Sequence, residues 1–192
     1  TVYREGSREG VLLSREDKSE RNIHKDAPKR PGVLEAELVR FRNNNEEWIA
    51  FVGMMEGQPY EIFTGRVEDD VLLVPLSINK CLNVTVKTNS ATARYDFQYT
   101  NKYGNPCTVG GLSYMFDTEF WNYAKLISGV LRHGMPIPYV VNLISSLKLD
   151  SENINSWKAG VARALKKFIP DGTKAQKGEL CEECSSTDLI YQ

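Results

Sequence analysis

Glu35-Ala-Glu-Leu-Val-Arg-Phe-Arg42, a break at Asn43-Asn-Asn45, and then Trp48-Ile-Ala-Phe-Val52 decide the fold. Ala36, Leu38, Val39 and Phe41 recur nearer a period of two than 3.6, the spacing of a strand with one face buried. Trp48 to Val52 is a compact apolar run of strand length, and the asparagines between the two segments are a turn signal, so together they predict a β-hairpin. Outward from this hairpin the pattern continues. Tyr60 to Phe63 follows Gly57-Gln-Pro59, and after it come Val71 to Leu76, Leu82 to Val86 and Ala93 to Tyr99. Leu82, Val84 and Val86 alternate in one of these, and Ala93, Tyr95, Phe97 and Tyr99 in another. Six short β-rich segments between Val33 and about Gly111 predict an antiparallel sheet or half-barrel.

After Met115 the period becomes helical. Asp117 suits an N-cap and Glu119 complements the dipole, while Phe120, Ala124, Ile127 and Leu131 recur at three- and four-residue steps. Arg132 and His133 fall in the last turn, and Gly134 is a natural stop. A second helix is expected to start at Pro136 to Pro138, with Val140, Leu143, Ile144 and Leu147 on one face. A third begins near Ser151, carries Ile154, Trp157, Val161, Leu165 and Phe168, and ends before Pro170-Asp171-Gly172. Strands first and helices second is an α+β order rather than alternating βαβ.

Length and charge narrow the function classes. The 192 residues suffice for one ordinary domain plus an appendage, and the formal net charge is −1. A near-neutral total argues against nucleic acid and against an anionic membrane surface, both of which favour a basic stripe. Four cysteines are too few for a disulfide scaffold, and no apolar run reaches the roughly 18 residues of a membrane span. No signal peptide opens the chain, so the expected location is cytoplasmic.

The two ends carry more. The chain opens on Thr1 rather than Met, as a piece of something longer would. Ser14 to Arg30 is almost wholly polar with alternating charge, which reads as a solvated tether ending at Pro28 and Pro31. Near the other end stands Cys181-Glu-Glu-Cys184. Such a knuckle supplies two thiolates, whereas a closed structural zinc site needs four ligands. The remaining candidates, Cys81, Cys107, His24 and His133, are far upstream. A second knuckle about 15–20 residues on would fall beyond Gln192. The motif therefore reads as half a zinc ribbon, with a redox pair and an incidental pair as the other readings.

The rest of the chain offers no complete active site. His133 is placed at a helix end, where a protonated imidazole suits the dipole, and has no neighbouring Ser or Cys to activate. His24 falls in the tether. Cys81 and Cys107 lie in or beside strands, where a thiol behaves as a small hydrophobe. Glu46-Glu47 and Asp69-Asp70 read as solvated turn acids, and Gly104, Gly110 and Gly111 form no phosphate loop. Tyr95, Phe97 and Tyr99 read as divided between faces or following a core rather than as a stacking platform. Lys158, Arg163, Lys166 and Lys167 make one side of the third helix basic, continued by Lys174 and Lys177, which is ordinarily a solvated face.

Several longer strings are familiar together. Thr1-Val-Tyr-Arg-Glu-Gly-Ser-Arg8 resembles the stretch that closes the catalytic domain of adenosylcobalamin-dependent (class II) ribonucleotide reductases. Arg30-Pro31, Glu46-Glu47-Trp48-Ile49 and Gly57-Gln-Pro-Tyr-Glu-Ile-Phe63 resemble the start of that family's C-terminal domain. Leu131-Arg-His-Gly-Met-Pro-Ile-Pro-Tyr-Val-Val141, Ala164-Leu-Lys-Lys-Phe-Ile-Pro-Asp-Gly-Thr173 and Cys181-Glu-Glu-Cys184 continue in the family's order.

The resemblance implies part of an enzyme that reduces ribonucleotides to deoxyribonucleotides. In that family, cobalt–carbon homolysis in adenosylcobalamin yields a cysteine thiyl radical, and two further cysteines reduce the substrate. That chemistry lies in an α/β barrel upstream, so no catalytic or cofactor-binding residue transfers to a numbered position here. Metal ligation is assigned to Cys181 and Cys184 alone, with zinc bound once the ribbon is complete. The implied partners are the upstream catalytic domain and a thioredoxin-like reductant, with no membrane and no nucleic acid.

The expected organisation has three parts. Residues 1–31 are the end of a catalytic barrel plus a linker. Residues 32–170 are an α+β domain of about six antiparallel strands followed by three helices, and residues 171–192 are a flexible tail with the truncated knuckle. The alternative is a non-enzymatic zinc-ribbon module that binds RNA or a protein partner. The isolated chain is expected to be inactive.

Overall fold

A computed structural model describes residues 26–43, 46–67, 74–86, 94–148 and 152–174. Within these, six strands form one antiparallel sheet and are followed by four helical segments. The strands are β1 (Val33–Asn43), β2 (Glu46–Met55), β3 (Gln58–Arg66), β4 (Lys80–Val86), β5 (Arg94–Thr100) and β6 (Pro106–Val109). Their order across the sheet is β3-β2-β1-β4-β5-β6. The predicted hairpin is present: Val39 pairs with Ala50 and Phe41 with Trp48, out to Asn43 opposite Glu46. The next hairpin turns at Glu56 and Gly57, both at positive φ (52° and 76°), the geometry a two-residue loop needs to match the strands' twist.

The sheet curls until its far strands meet through side chains. Phe51 on β2 and Phe97 on β5 have ring centroids 4.7 Å apart, and Phe63 on β3 lies 4.9 Å from Tyr95 on β5. Between β3 and β5 the gap is filled by a one-turn helix, α1 (Leu112–Met115), and the residues after it. Leu112, Phe116 and Trp121 pack on Ala36, Leu38, Ile49, Phe51, Phe63, Cys81 and Phe97 to form the interior of this half-barrel. Gly65 is required there, because a Cβ would overlap the Phe116 ring.

Three longer helices cover the outer face of β1, β2 and β3. They are α2 (Thr118–Arg132), α3 (Ile137–Ser146) and α4 (Glu152–Lys166). Trp48, Ala50 and Val52 on β2 point toward them, and Ile49 and Phe51 point into the half-barrel, so this strand is buried on both faces. Asp117 caps α2 by accepting from the Glu119 N–H, as expected, and Gly134 takes positive φ just beyond its end. Gly160 lets α4 approach β1, where a side chain would overlap Phe41. Trp157 Nε1 donates to Thr64 Oγ1 on β3 at 2.8 Å.

Several expectations are corrected. Of the apolar run Val71 to Leu76, residues 71–73 lie outside the described residues, while Val74 and Pro75 are in no strand and Leu76 is exposed. The sixth strand is Pro106–Val109 instead. In β4 the buried side chain is Cys81, and Leu82 faces outward. Tyr95, Phe97 and Tyr99 share one face, as residues two apart on a strand must. All three pack on the interior cluster. In α3, Val141 is buried and Leu143 is exposed. No described helix is long and apolar enough to cross a membrane.

Candidate functional site

β3 is an edge strand, and charged and aromatic side chains gather along it. Its sequence Tyr60-Glu-Ile-Phe-Thr64 alternates outward and inward, which turns Glu61 to the same side as Phe63, toward the half-barrel mouth. Glu61 has no solvent exposure. A carboxylate there is tenable only with cations beside it. Arg30 supplies the first: its Nε donates to Glu61 Oε2 and its Nη2 to Oε1, both at 2.7 Å. Arg132 at the end of α2 supplies the second, donating from Nη2 to Oε2 at 3.2 Å. Two guanidinium groups thus converge on one carboxylate.

Aromatic rings complete this clamp. The Arg30 guanidinium lies 5.5 Å from the Tyr95 ring centroid, and that of Arg132 lies 5.2 Å from Tyr60. Tyr60 Oη donates to the Pro28 carbonyl at 2.6 Å, so the chain before β1 is held against β3 at two points. The last residues of the presumed solvated tether are therefore docked. Ser128 on α2 meets the strand's free edge: Ile62 N–H donates to its Oγ at 3.0 Å, and the hydroxyl in turn has the Ala124 carbonyl at 2.8 Å and the Ile62 carbonyl at 3.1 Å as acceptors.

A cavity of about 410 Å³ opens beside the clamp. Phe63, Tyr95 and Trp121 form its aromatic wall, and Lys125 and Arg132 line it from α2. Arg132 Nε is buried without a hydrogen-bond partner.

The residues singled out in the sequence are dispersed. Cys81 is buried in the half-barrel, where desolvation lifts its thiol from an ordinary value of 9.0 to about 12. It is held as an inert thiol. Cys107 on β6 lies opposite Tyr99 in the register and is half-buried. Tyr99 has its pKa raised by burial first, and then by the Cys107 charge and hydrogen bond. His133 is exposed, its Nδ1 2.8 Å from the Gly129 carbonyl. Lys158, one of the basic residues of α4, donates to the carbonyls of Ser145 (3.3 Å) and Leu147 (2.8 Å) and so caps the end of α3. Glu46 begins β2 rather than a turn and pairs with Arg66 at 3.2 Å.

No group of three or more His, Cys, Asp or Glu suited to a metal occurs among the described residues. Cys181, Cys184 and His24 lie outside the described residues, as do Asp69 and Asp70. The cavities beside Cys81 and beside the clamp, about 470 and 410 Å³, have the size of a drug-like ligand's pocket, and neither fits a corrinoid with its adenosyl group. Reading the sequence missed Arg30, Glu61, Arg132 and Ser128. One signal was available: a glutamate in the middle of the apolar run Tyr60 to Phe63 marks a buried charge.

What these parts define is an α+β module, a half-barrel backed by helices with a charged clamp at its mouth. The chain belongs to the family described as the NrdJ homologue C-terminal domain, whose model matches residues 34–170. That is the C-terminal domain of a homologue of the cobalamin-dependent ribonucleotide reductases. Of the strings that carry the resemblance, Thr1–Arg8, Arg30-Pro31 and Cys181–Cys184 lie outside the matched span, and Ala164–Thr173 runs past its end. No curated protein and no solved structure matches the chain.

Proposed function

We propose that the chain is the C-terminal part of a ribonucleoside-diphosphate reductase that makes deoxyribonucleotides for DNA synthesis by a cobalamin-initiated thiyl radical mechanism. The catalytic barrel is upstream, residues 32–170 are one non-catalytic domain, and the tail bears the knuckle. The observation that carries this reading is the family match across residues 34–170. Two others support it. The buried Cys81, its thiol pushed up to about 12 by desolvation, is unsuited to exchange chemistry. The docking of residues 28–30 on β3 gives an incoming chain a fixed point of entry.

The test is ribonucleotide reduction assayed with adenosylcobalamin and a dithiol. A polypeptide that includes the upstream barrel is expected to turn over, and the 192-residue chain alone to give no deoxyribonucleotide. Turnover by the short chain, or none by the longer one, overturns the reading. In the same proposal Cys181 and Cys184 are zinc ligands. A chain extended past Gln192 is expected to bind about one zinc, lost on Cys181→Ser. Retention of zinc by that variant removes the ligand assignment.

A further inference from the structure

The cavity beside the clamp is left unused by that function. One face of α2 builds it: Trp121, Lys125, Ser128 and Arg132 follow one another at four-, three- and four-residue steps and so line up along the helix. Ser128 is committed to the β3 edge, leaving an aromatic ring at one end and two cations further along. Phe63 and Tyr95 continue the aromatic wall across β3 and β5, with Phe63 stacked on Trp121 at 5.0 Å between centroids. Tyr114, on the one-turn helix at the rim, is 80% exposed and adds a further aromatic surface.

The charged side chains that line this cavity are both cations, Lys125 and Arg132. Both Glu61 oxygens are already engaged by Arg30 and Arg132. Among the described residues, no carboxylate lines the cavity and none lies within ion-pair reach of Lys125. The buried Arg132 Nε has no acceptor. An unpaired buried donor is costly, and an anion at this position relieves the cost while meeting both cations. The aromatic wall beside it suits a flat ring.

We propose that this cavity binds a small aromatic anion, a planar ring bearing a phosphate monoester, with the ring against Tyr95 and Trp121 and the phosphate between Lys125 and Arg132. Two cations suit a dianion better than a single carboxylate, so aryl phosphate ranks above aryl carboxylate. This site does not depend on the reductase reading and is testable without any enzymatic assay.

The experiment titrates the isotopically labelled 192-residue chain and follows its indole N–H resonances by NMR. The chain has three tryptophans, and Trp48 and Trp157 lie in the helix-backed core while Trp121 borders the cavity. Phenyl phosphate is expected to shift Trp121 saturably, with a Kd on the order of 1 mM for a ligand of this size, and to leave Trp157 in place. Inorganic phosphate, phenol and benzoate are each expected to bind at least about tenfold more weakly, and added salt to weaken binding. Lys125→Ala removes an exposed side chain outside the core and is expected to weaken phenyl phosphate about tenfold. A non-saturating Trp121 shift overturns the site. So does equal binding by inorganic phosphate, or an unchanged affinity in Lys125→Ala.

Discussion

Two side chains on the curled sheet show how one buried residue sets a measurable property of the chain. Glu61 is enclosed between Arg30 and Arg132, whose side chains keep 12% and 29% of their exposure. Glu61→Gln preserves the shape but removes the carboxylate on which both guanidinium groups converge. The expected loss is about 3 kcal/mol, the low end for breaking a buried ion pair, because both cations retain some water. Tyr60→Phe removes only the bond to Pro28 and is expected to cost about 1 kcal/mol. Urea unfolding of the two variants measures both; a Glu61→Gln loss no larger than that of Tyr60→Phe would mean the clamp contributes little. Cys81 acts through pH. Unfolded, its thiol ionises from its ordinary value of 9.0, whereas folded it keeps its proton to about 12. Between these values the unfolded state holds fewer protons, so stability falls as pH rises, by about 1.4 kcal/mol per unit. Other groups titrate there too. The quantity to measure is therefore wild type minus Cys81→Ala, expected to shift by about 2 kcal/mol between pH 9 and 10.5. A flat difference would place the thiol in contact with solvent.

Among the elements, β3 shows why an edge strand needs a partner other than a strand. Its free edge at Ile62 meets Ser128 rather than water. Ser128→Ala leaves the buried Ile62 N–H unpaired, at an expected cost of about 2 kcal/mol and with faster hydrogen exchange at Ile62. Ser146→Ala, which removes an exposed bond at the end of α3, is the control and is expected to stay within about 0.5 kcal/mol. Equal effects of the two would show that the edge is solvated. The same scale shows what was legible in the sequence. α2 was readable because it carries an unbroken helical period and a cap signal of its own, and β1 and β2 because the asparagines between two apolar segments mark a hairpin. β6 was not: four residues beginning with proline carry no period. Val74 to Leu76, the described part of the run expected as a strand, lie outside the sheet because a short apolar run has no phase and Pro75 offers no N–H to a ladder. The clamp was hidden for a different reason. Arg30 and Glu61 are 31 residues apart, and only the curl of the sheet brings them together.

For the whole molecule, the two hydrophobic clusters are joined through a strand they share. Trp48, Ala50 and Val52 belong to the helix-backed cluster and Ile49 and Phe51 to the half-barrel, alternating along β2. Neither cluster can lose β2 and remain closed, since Trp48 contacts Phe120 at 4.9 Å on one side and Phe51 contacts Phe97 at 4.7 Å on the other. The connection through α2 reinforces this, because Trp121 enters the half-barrel while Phe120, its neighbour in sequence, enters the other cluster. Residues 32–170 are therefore expected to unfold as one cooperative unit despite their two cores. The check is coincidence of two probes, the Trp121 and Trp157 indole resonances followed through a urea series. Trp157 reports on α4 against β3, and Trp121 on the half-barrel. A single midpoint supports one domain. Loss of the Trp157 signal at lower urea than Trp121 would divide the helices from the sheet. In that case the half-barrel would be the stable unit, and the docking of residues 28–30 on β3 would belong to it alone.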